Sequence, residues 1–459
     1  MKCYQNEPVA ASICPILGEY LQTRYEIKEG EAIQITVGMG TTEKTPMLRC
    51  KEIYAMGMKM AMELGAKDCM FVFDRAFAFG REGVFAAIEG IYGAAYEQKF
   101  SLSGQTKPEG EWYAQLSSQQ EEEQRDFLVL LEQGTALAES IMWARNLVNC
   151  PANRLTPKQF AQALTQKMQD VSVEVEVFEE KALKELGLHA LLSVGDSSGN
   201  PPRMAVLRYT GATEKKERLG YVGKGVTCDS GGYCLKPSTS MAGIKGDMAG
   251  GAAVAAAVWT LAHNQVPVNV TAVIPMCENR ISRESSLPGD VITGLSGKSI
   301  EILNTDAEGR LILSDAITWA IEKEKVTKVL DIATLTGAVV QMFGFVTAGV
   351  MSSDDDWFAD LQAAALHSGE KYWRLPMDEE YESLIDSDYA DVRNTSKDGC
   401  GTVTAGLFLH RFAQDLPWMH LDIAGTASVK SPIWKFQSTG ATGAGANTLY
   451  YLAEQEARR

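Results

Sequence analysis

The chain predicts an α/β protein in three stretches. These are a smaller N-terminal α/β domain over residues 1–117, a joining helix over 118–150, and a larger C-terminal α/β domain over 151–459. The larger domain should carry a central, mostly parallel sheet flanked by helices. Three observations lead there. Strand-like and helix-like segments alternate from residue 151 to the C-terminus, as βαβ units do. Apolar strand candidates at 218–222, 268–275 and 328–332 run straight into charged or glycine-rich segments, as they do where sites form at the carboxyl ends of parallel strands. A long helical run separates these units from a differently patterned N-terminal part, and 459 residues hold two or three domains' worth of core.

In the first part, residues 32–37 read as a strand, 49–64 as a Met-rich helix, 68–74 (D-C-M-F-V-F-D) as a strand and 81–97 as a helix. Met56, Met58, Met60 and Met62 are read as helix packing or interface. The clearest loop and boundary signal is 101–111, S-L-S-G-Q-T-K-P-E-G-E. Residues 118–148 read as one long helix, acidic at its start (Glu121, Glu122, Glu123) as the helix dipole prefers. Thr156 followed by Pro157 and Gln159 is a helix start, with Thr156 as N-cap and Gln159 at the third position. Residues 171–178, V-S-V-E-V-E-V-F, alternate as a half-exposed strand does. Residues 248–262 form a small-residue helix suited to tight packing inside the molecule, and 440–446 a tight turn into a last helix over 447–456. No internal repeat or low-complexity tract is present.

Composition excludes more than it selects. A net charge of −16 and a pI near 4.9 disfavour general nucleic-acid or anionic-membrane binding. Nine cysteines, an odd number without a C-x-x-C pair, disfavour a disulfide framework. The start M-K-C-Y-Q-N-E-P lacks an apolar signal core, and no apolar run reaches membrane-spanning length, so a cytoplasmic protein is expected.

Chemistry concentrates in two segments. N-T-D-A-E-G-R over 304–310 places Asp306, Glu308 and Arg310 at every second position, and an extended or loosely looped chain would turn all three to one side. Two hard oxygen ligands beside a cation suit a divalent-metal site that handles an anion. The second segment, 223–247, carries Lys224, Asp229, Lys236 and Asp247 among glycines and small residues, behind the strand 218–222. Buried Lys and Asp at a strand end require partners or a metal. Three Asp, one Glu, two Lys and one Arg form an oxygen-rich set, which suits two divalent ions better than one. A neutral lysine amine is a further candidate ligand, because burial beside cations lowers its pKa.

The five histidines neither cluster nor form a spaced pair, and are read as structural or surface groups. His420 lies in a buried strand with Asp422 two residues on, where a structural hydrogen bond is expected. Ser230 and Ser314 have no His/Asp context for a triad. The Gly-rich 440–446 lacks the Lys-Ser/Thr of a phosphate loop.

With these residues in place, the chain resembles the leucyl aminopeptidases, the cytosol aminopeptidases of peptidase family M17. The family's segments appear in order: V-G-K-G-V-T-C-D-S-G-G from Val222, D-M-A-G-G-A-A-V from Asp247, P-G-D-V from Pro288 and N-T-D-A-E-G-R-L from Asn304. D-I-A-T-L-T-G-A from Asp331 and H-L-D-I-A-G-T-A from His420 follow, and N-L-V-N-C-P-A-N from Asn146 resembles the approach to the catalytic domain. The likeness spans roughly 140–450, and residues 1 to about 120 carry no recognisable motif.

The resemblance implies a metal-dependent aminopeptidase with two divalent ions per subunit, Zn²⁺ or Mn²⁺. Asp229 and Glu308 would bridge the ions, Lys224 and Asp247 would belong to the tighter site and Asp306 to the more exchangeable one. Lys236 would stabilise the oxyanion, and Arg310 would hold a bicarbonate that shuttles protons. Asn304, Thr334, Leu335 and Gly337 would line the substrate cleft, and Ile244 the pocket for the first side chain. A homo-hexamer of two stacked trimers acting on peptide substrates is implied, with no membrane and no nucleic-acid partner. Where relatives usually carry Phe, Met, Met and Arg, this chain has Cys228, Ile244, Arg280 and Leu287, and Cys234 adds a second thiol near the site. Leucine preference therefore does not follow. Two rival readings remain open at this point: a two-metal phosphoesterase, and a nucleic-acid-binding regulatory role of the first 120 residues.

Overall fold

The computed structural model describes residues 1–5, 8–41, 44–97, 110–396 and 398–458. Most of the 101–111 boundary signal lies outside the described residues. The chain divides into two compact units, one of residues 1–142 with 366–369 and 429–440, the other of 143–365, 370–428 and 441–459. The division falls inside a continuous helix, Glu121–Asn149, whose first turn holds Glu121, Glu122 and Glu123.

The first unit is built on a six-stranded sheet in the order Lys2–Cys3, Trp112–Gln115, Cys69–Val72, Ala11–Ile16, Ile33–Gly38, Thr23–Glu26. All neighbours are parallel except the last pair. Two helices, Pro46–Glu63 and Gly80–Ala95, pack against each other. The approach is close enough that a Cβ on Gly90 would meet the Lys51 carbonyl at 2.2 Å. Of the four clustered methionines, Met58 is buried in this core and Met62 is exposed.

The second unit carries a nine-stranded sheet whose path runs Tyr372–Arg374, Ala348–Ser352, Trp418–Asp422, Lys328–Ala333, Leu219–Gly223, Asn269–Asn279, Arg203–Thr210, Val173–Glu179. Its centre is parallel, and Gly225–Asp229 pairs, also parallel, with the far end of Asn269–Asn279. Toward the edges the direction reverses three times. The alternating segment near 171–178 is the edge strand Val173–Glu179, where half-exposure is expected.

Helices cover both faces. Val222 and Val273 share a core cluster with Leu311, Ile312 and Ala316 of the helix Glu308–Glu322. The next residues along each strand, Gly223 and Ile274, lie instead against Gly250 and Gly251 of the helix Ala249–His263. That helix is buried along its length and approaches the sheet closely: a Cβ on Gly250 would lie 2.0 Å from the Ile332 carbonyl. Small side chains are what this contact requires.

Two expectations change. The helix Pro157–Lys167 starts after Thr156, but the Thr156 hydroxyl bonds the Gln159 side chain and does not cap a backbone N–H. Residues 304–310, expected to be extended or loosely looped, turn at 305–306 as a loop does and then enter the helix Glu308–Glu322, which the expectation did not include. Glu308 and Arg310 therefore project from a first helical turn, where a carboxylate is favoured by the dipole. Among the described residues, no helix is long and apolar enough to cross a membrane.

Candidate metal centre

Three chain segments converge at the carboxyl end of the central strands. Lys224 sits between Leu219–Gly223 and Gly225–Asp229, with its backbone N–H donating to the Ile332 carbonyl at 3.1 Å. Asp229 ends the second of these strands, and the glycine turn after it brings Lys236 back toward the same place. Asp247 follows the 3₁₀ segment Met241–Gly246, which packs against Gly225–Asp229. Asp306 and Glu308 come from the turn and helix start just described.

Carboxylate oxygens of Asp229, Asp306 and Glu308 all lie within 4.8 Å of one another, with Asp229 and Glu308 buried. Around them, Lys224 Nζ is 2.8 Å from Asp247 Oδ2, 2.8 Å from Glu308 Oε1 and 3.0 Å from the Thr334 carbonyl. Lys236 Nζ pairs with Asp229 Oδ2 at 2.7 Å and with Asp306 Oδ1. The Thr334 hydroxyl donates to Asp247 Oδ1 at 2.7 Å.

The electrostatics are those of crowded anions. Burial first, then neighbouring Asp229, pushes the Asp306 carboxyl up to about 6. Asp247 is raised well above its ordinary value by burial, with Lys224 opposing and Glu308 and Asp229 adding. Lys224, whose neutral amine is expected beside bound cations, faces three carboxylates here. Burial does work against its charge, but Asp247, Glu308 and Asp229 outweigh it and raise its pKa. Glu308 Oε2 is buried without a hydrogen-bond partner among the described residues. A group of oxygens packed this closely, with one orphaned, fits divalent cations, which relieve the repulsion.

Arg310 is 7% exposed, and its Nε has no hydrogen-bond partner among the described residues. Burial lowers its pKa to about 10, so it remains charged at neutral pH with an unmet donor, suited to an anion.

Among the remaining expected residues, Thr334 reaches the centre through its bonds to Lys224 and Asp247. Asn304 accepts the Asp306 N–H at 2.8 Å, turning that carboxylate into place. Leu335 is half-buried, Gly337 is exposed at the start of the helix Gly337–Phe343, and Ile244 is half-buried in Met241–Gly246. Cys228 is buried, and burial raises its thiol pKa; Cys234 is half-buried.

His420 bonds Asp331, not Asp422, with Nδ1 2.5 Å from Oδ1. Asp422 was not singled out beyond its nearness to His420, yet it anchors the cleft segment. It accepts the N–H groups of Leu335 and Thr336 at 3.2 and 3.4 Å and the Thr336 hydroxyl at 2.6 Å. Asn394, also not foreseen, holds the backbone of Leu303 and Asn304.

The chain is similar to known proteins over most of its length. Residues 142–450 match the model of the cytosol aminopeptidase family, catalytic domain. A probable cytosol aminopeptidase of Clostridium perfringens is 39% identical over 427 residues, covering 92% of this chain and 86% of that protein. One from Alkaliphilus oremlandii is 41% identical over 368 residues, 80% of this chain and 73% of that protein. Among solved structures, the bottromycin maturation enzyme BotP superposes with a TM-score of 0.88 at 30% identity, covering 98% of this chain and 100% of that one. The same enzyme in complex with Mn gives 0.87 at 31% identity, covering 98% and 99%. The chain belongs to the cytosol aminopeptidase family and is a metal-dependent hydrolase of peptide bonds.

Proposed function

We propose that this protein releases the N-terminal residue from peptides in the cytoplasm, using two divalent ions held by Lys224, Asp229, Asp247, Asp306 and Glu308. The observation that carries this reading is the trio Asp229, Asp306 and Glu308, whose oxygens lie within 4.8 Å of one another between two lysines. Zn²⁺ and Mn²⁺ both suit the donor set, and the Mn complex of BotP favours Mn²⁺ as one of them. When bound, the ions supply Lewis acidity, polarising the scissile carbonyl and lowering the pKa of the attacking water.

The protein's own groups supply the rest. Lys236 is partly exposed and stays charged, because Asp229 and Glu308 outweigh burial. Its ammonium is placed to donate to the oxyanion that develops on the carbonyl. Arg310 would hold a bicarbonate through its unmet donor, and a bicarbonate there would supply the proton-transfer base that the side chains lack. Arg310 itself stays protonated and is no base. Asn304, Thr334, Leu335 and Gly337 line the cleft, and Ile244 limits the pocket for the first side chain. By likeness to the family the subunits assemble as a hexamer.

The test is a set of aminoacyl-p-nitroanilides, each with its N-acetylated twin, beside a p-nitrophenyl phosphate control. Hydrolysis of the free-amine compounds alone is expected. Equal cleavage of acetylated compounds, or phosphate release without amide hydrolysis, contradicts an aminopeptidase.

A further inference from the structure

Asp229 is held in the centre by groups that the ligand set does not contain. Its strand runs parallel to Asn269–Asn279, with Asp229 opposite Asn279 at the strand ends. Asn279 is 4% exposed. Its Nδ2 donates to Asp229 Oδ1 and to the Thr305 carbonyl, both at 2.9 Å. Its main-chain carbonyl accepts from Ser230, N–H at 3.0 Å and hydroxyl at 2.8 Å.

These bonds join two segments. Thr305 precedes Asp306, so one side-chain amide reaches from Asp229 to the backbone that presents Asp306. The Gly231 N–H also donates to Asp229 Oδ1 at 2.9 Å. Oδ1 is thereby engaged by two donors, and Oδ2 is left toward Lys236. Gly232, at φ +62°, keeps the space open: a Cβ there would lie 2.9 Å from Asn279 Oδ1 and 3.0 Å from Thr305 Oγ1. The Thr305 hydroxyl closes the arrangement by donating to the Gly231 carbonyl at 2.7 Å.

We infer that Asn279 is a positioning residue of the metal centre, its side-chain amide clamping Asp229 and the Asp306 turn into one preformed donor set. The inference rests on the reading of Asp229 and Asp306 as metal ligands. Both amide hydrogens point at acceptors, so Asp at this position would set acceptor against acceptor, and Ala would take the donor from the Thr305 carbonyl and one of two donors from Asp229 Oδ1. Supporting groups of this kind commonly change metal affinity 10- to 100-fold when removed.

The experiment compares Asn279→Ala and Asn279→Asp with Asn269→Ala. Asn269 is as buried, lies at the opposite end of the same strand, and bonds only the backbone of Ala212, Lys215 and Glu217 among the described residues. Mn²⁺ binding to the chelated full-length protein is measured by calorimetry, with the unfolding midpoint of each metal-free protein alongside. Expected is a 10- to 100-fold loss of Mn²⁺ affinity in both Asn279 variants. Asn269→Ala should lower the midpoint yet keep affinity within about threefold. If Asn279→Ala cannot be purified, Ser230→Ala, which removes the hydroxyl that donates to the Asn279 carbonyl and accepts the Gly232 N–H, should still weaken Mn²⁺ binding several-fold. Unchanged affinity in the Asn279 or Ser230 variants overturns the inference, as does an equal loss in Asn269→Ala. A wild-type protein that binds neither Mn²⁺ nor Zn²⁺ removes the ligand reading itself, and the inference with it.

Discussion

Gly309 lies between two residues of the metal centre, Glu308 and Arg310, and its missing side chain leaves the space that Lys224 occupies. A Cβ at this position would sit 2.7 Å from both Cε and Nζ of Lys224 and 3.0 Å from Leu335 Cδ1. Ordinary contact needs about 3.5 Å or more, so Gly309→Ala forces the lysine end back by roughly 0.8 Å. Lys224 has no slack in which to retreat, because Asp247, Glu308 and the Thr334 carbonyl hold Nζ at 2.8, 2.8 and 3.0 Å. Lengthening the two ionic contacts to about 3.6 Å takes them out of hydrogen-bond range. Each contributes roughly 1.5–3 kcal/mol, so the pair represents about 3 kcal/mol or more, on the order of 100-fold in rate. Helix propensity pulls the other way, favouring Ala over Gly by up to about 1 kcal/mol, so the fold should survive. The assay is hydrolysis of leucine p-nitroanilide at saturating Mn²⁺, beside the thermal midpoint. Expected is a midpoint lowered by a net loss of about 2 kcal/mol, with activity down on the order of 100-fold. Activity within threefold of wild type would refute the argument that Gly309 is there to make room for Lys224.

Other expectations are as direct. Asp306→Ala and Glu308→Ala should each remove bound metal and activity together, whereas Lys236→Ala should keep most of the metal and lose most of kcat; metal analysis beside kinetics separates the two patterns. His420 is fully buried, and although burial opposes its charge, Asp331 and Asp422 raise its pKa above 6.5, with Arg310 opposing. A raised histidine contributes stability that is complete below about pH 6.5 and is lost as pH rises through the folded value. Urea midpoints should therefore decline on raising the pH above that point, and His420→Gln should flatten the decline; an unchanged slope would place the pH dependence elsewhere. Cys400 is exposed while Cys228 is buried with a raised pKa, so iodoacetamide at neutral pH should label Cys400 first in the native protein, as peptide mapping would show.

The proposed ligand residues stand out in the sequence because charge is written where burial is also written. Lys224 and Asp229 stand at the end of an apolar strand, and Asp247 leads into a helix of Ala and Gly that only an interior contact explains. The same reasoning found the central strands and the long acidic-started helix. It failed where the answer depends on partners far along the chain. The strict alternation of Asp306, Glu308 and Arg310 suggested an extended or loosely looped run, and the helix start at Glu308 left no separate mark in that spacing. Asn279 bonds residues 26 and 50 positions away, and no local pattern marks an asparagine for such a role. His420 was placed beside Asp422, two residues on along its own strand, which is about 7 Å away. Asp331 lies directly opposite on the neighbouring parallel strand, at about 4.8 Å spacing, and takes the bond instead. The antiparallel strands toward the sheet edges were likewise unreadable, since strand direction there is set by loops and not by side-chain pattern.

The most direct test of the account is a metal titration of the chelated enzyme, following ions bound per subunit and the amino acid released from a dipeptide. The account predicts no turnover without metal, recovery with Mn²⁺ or Zn²⁺, and full rate at two ions per subunit. Full rate at one ion would contradict the two-metal centre, and turnover that persists without metal would contradict the reaction assigned to these residues.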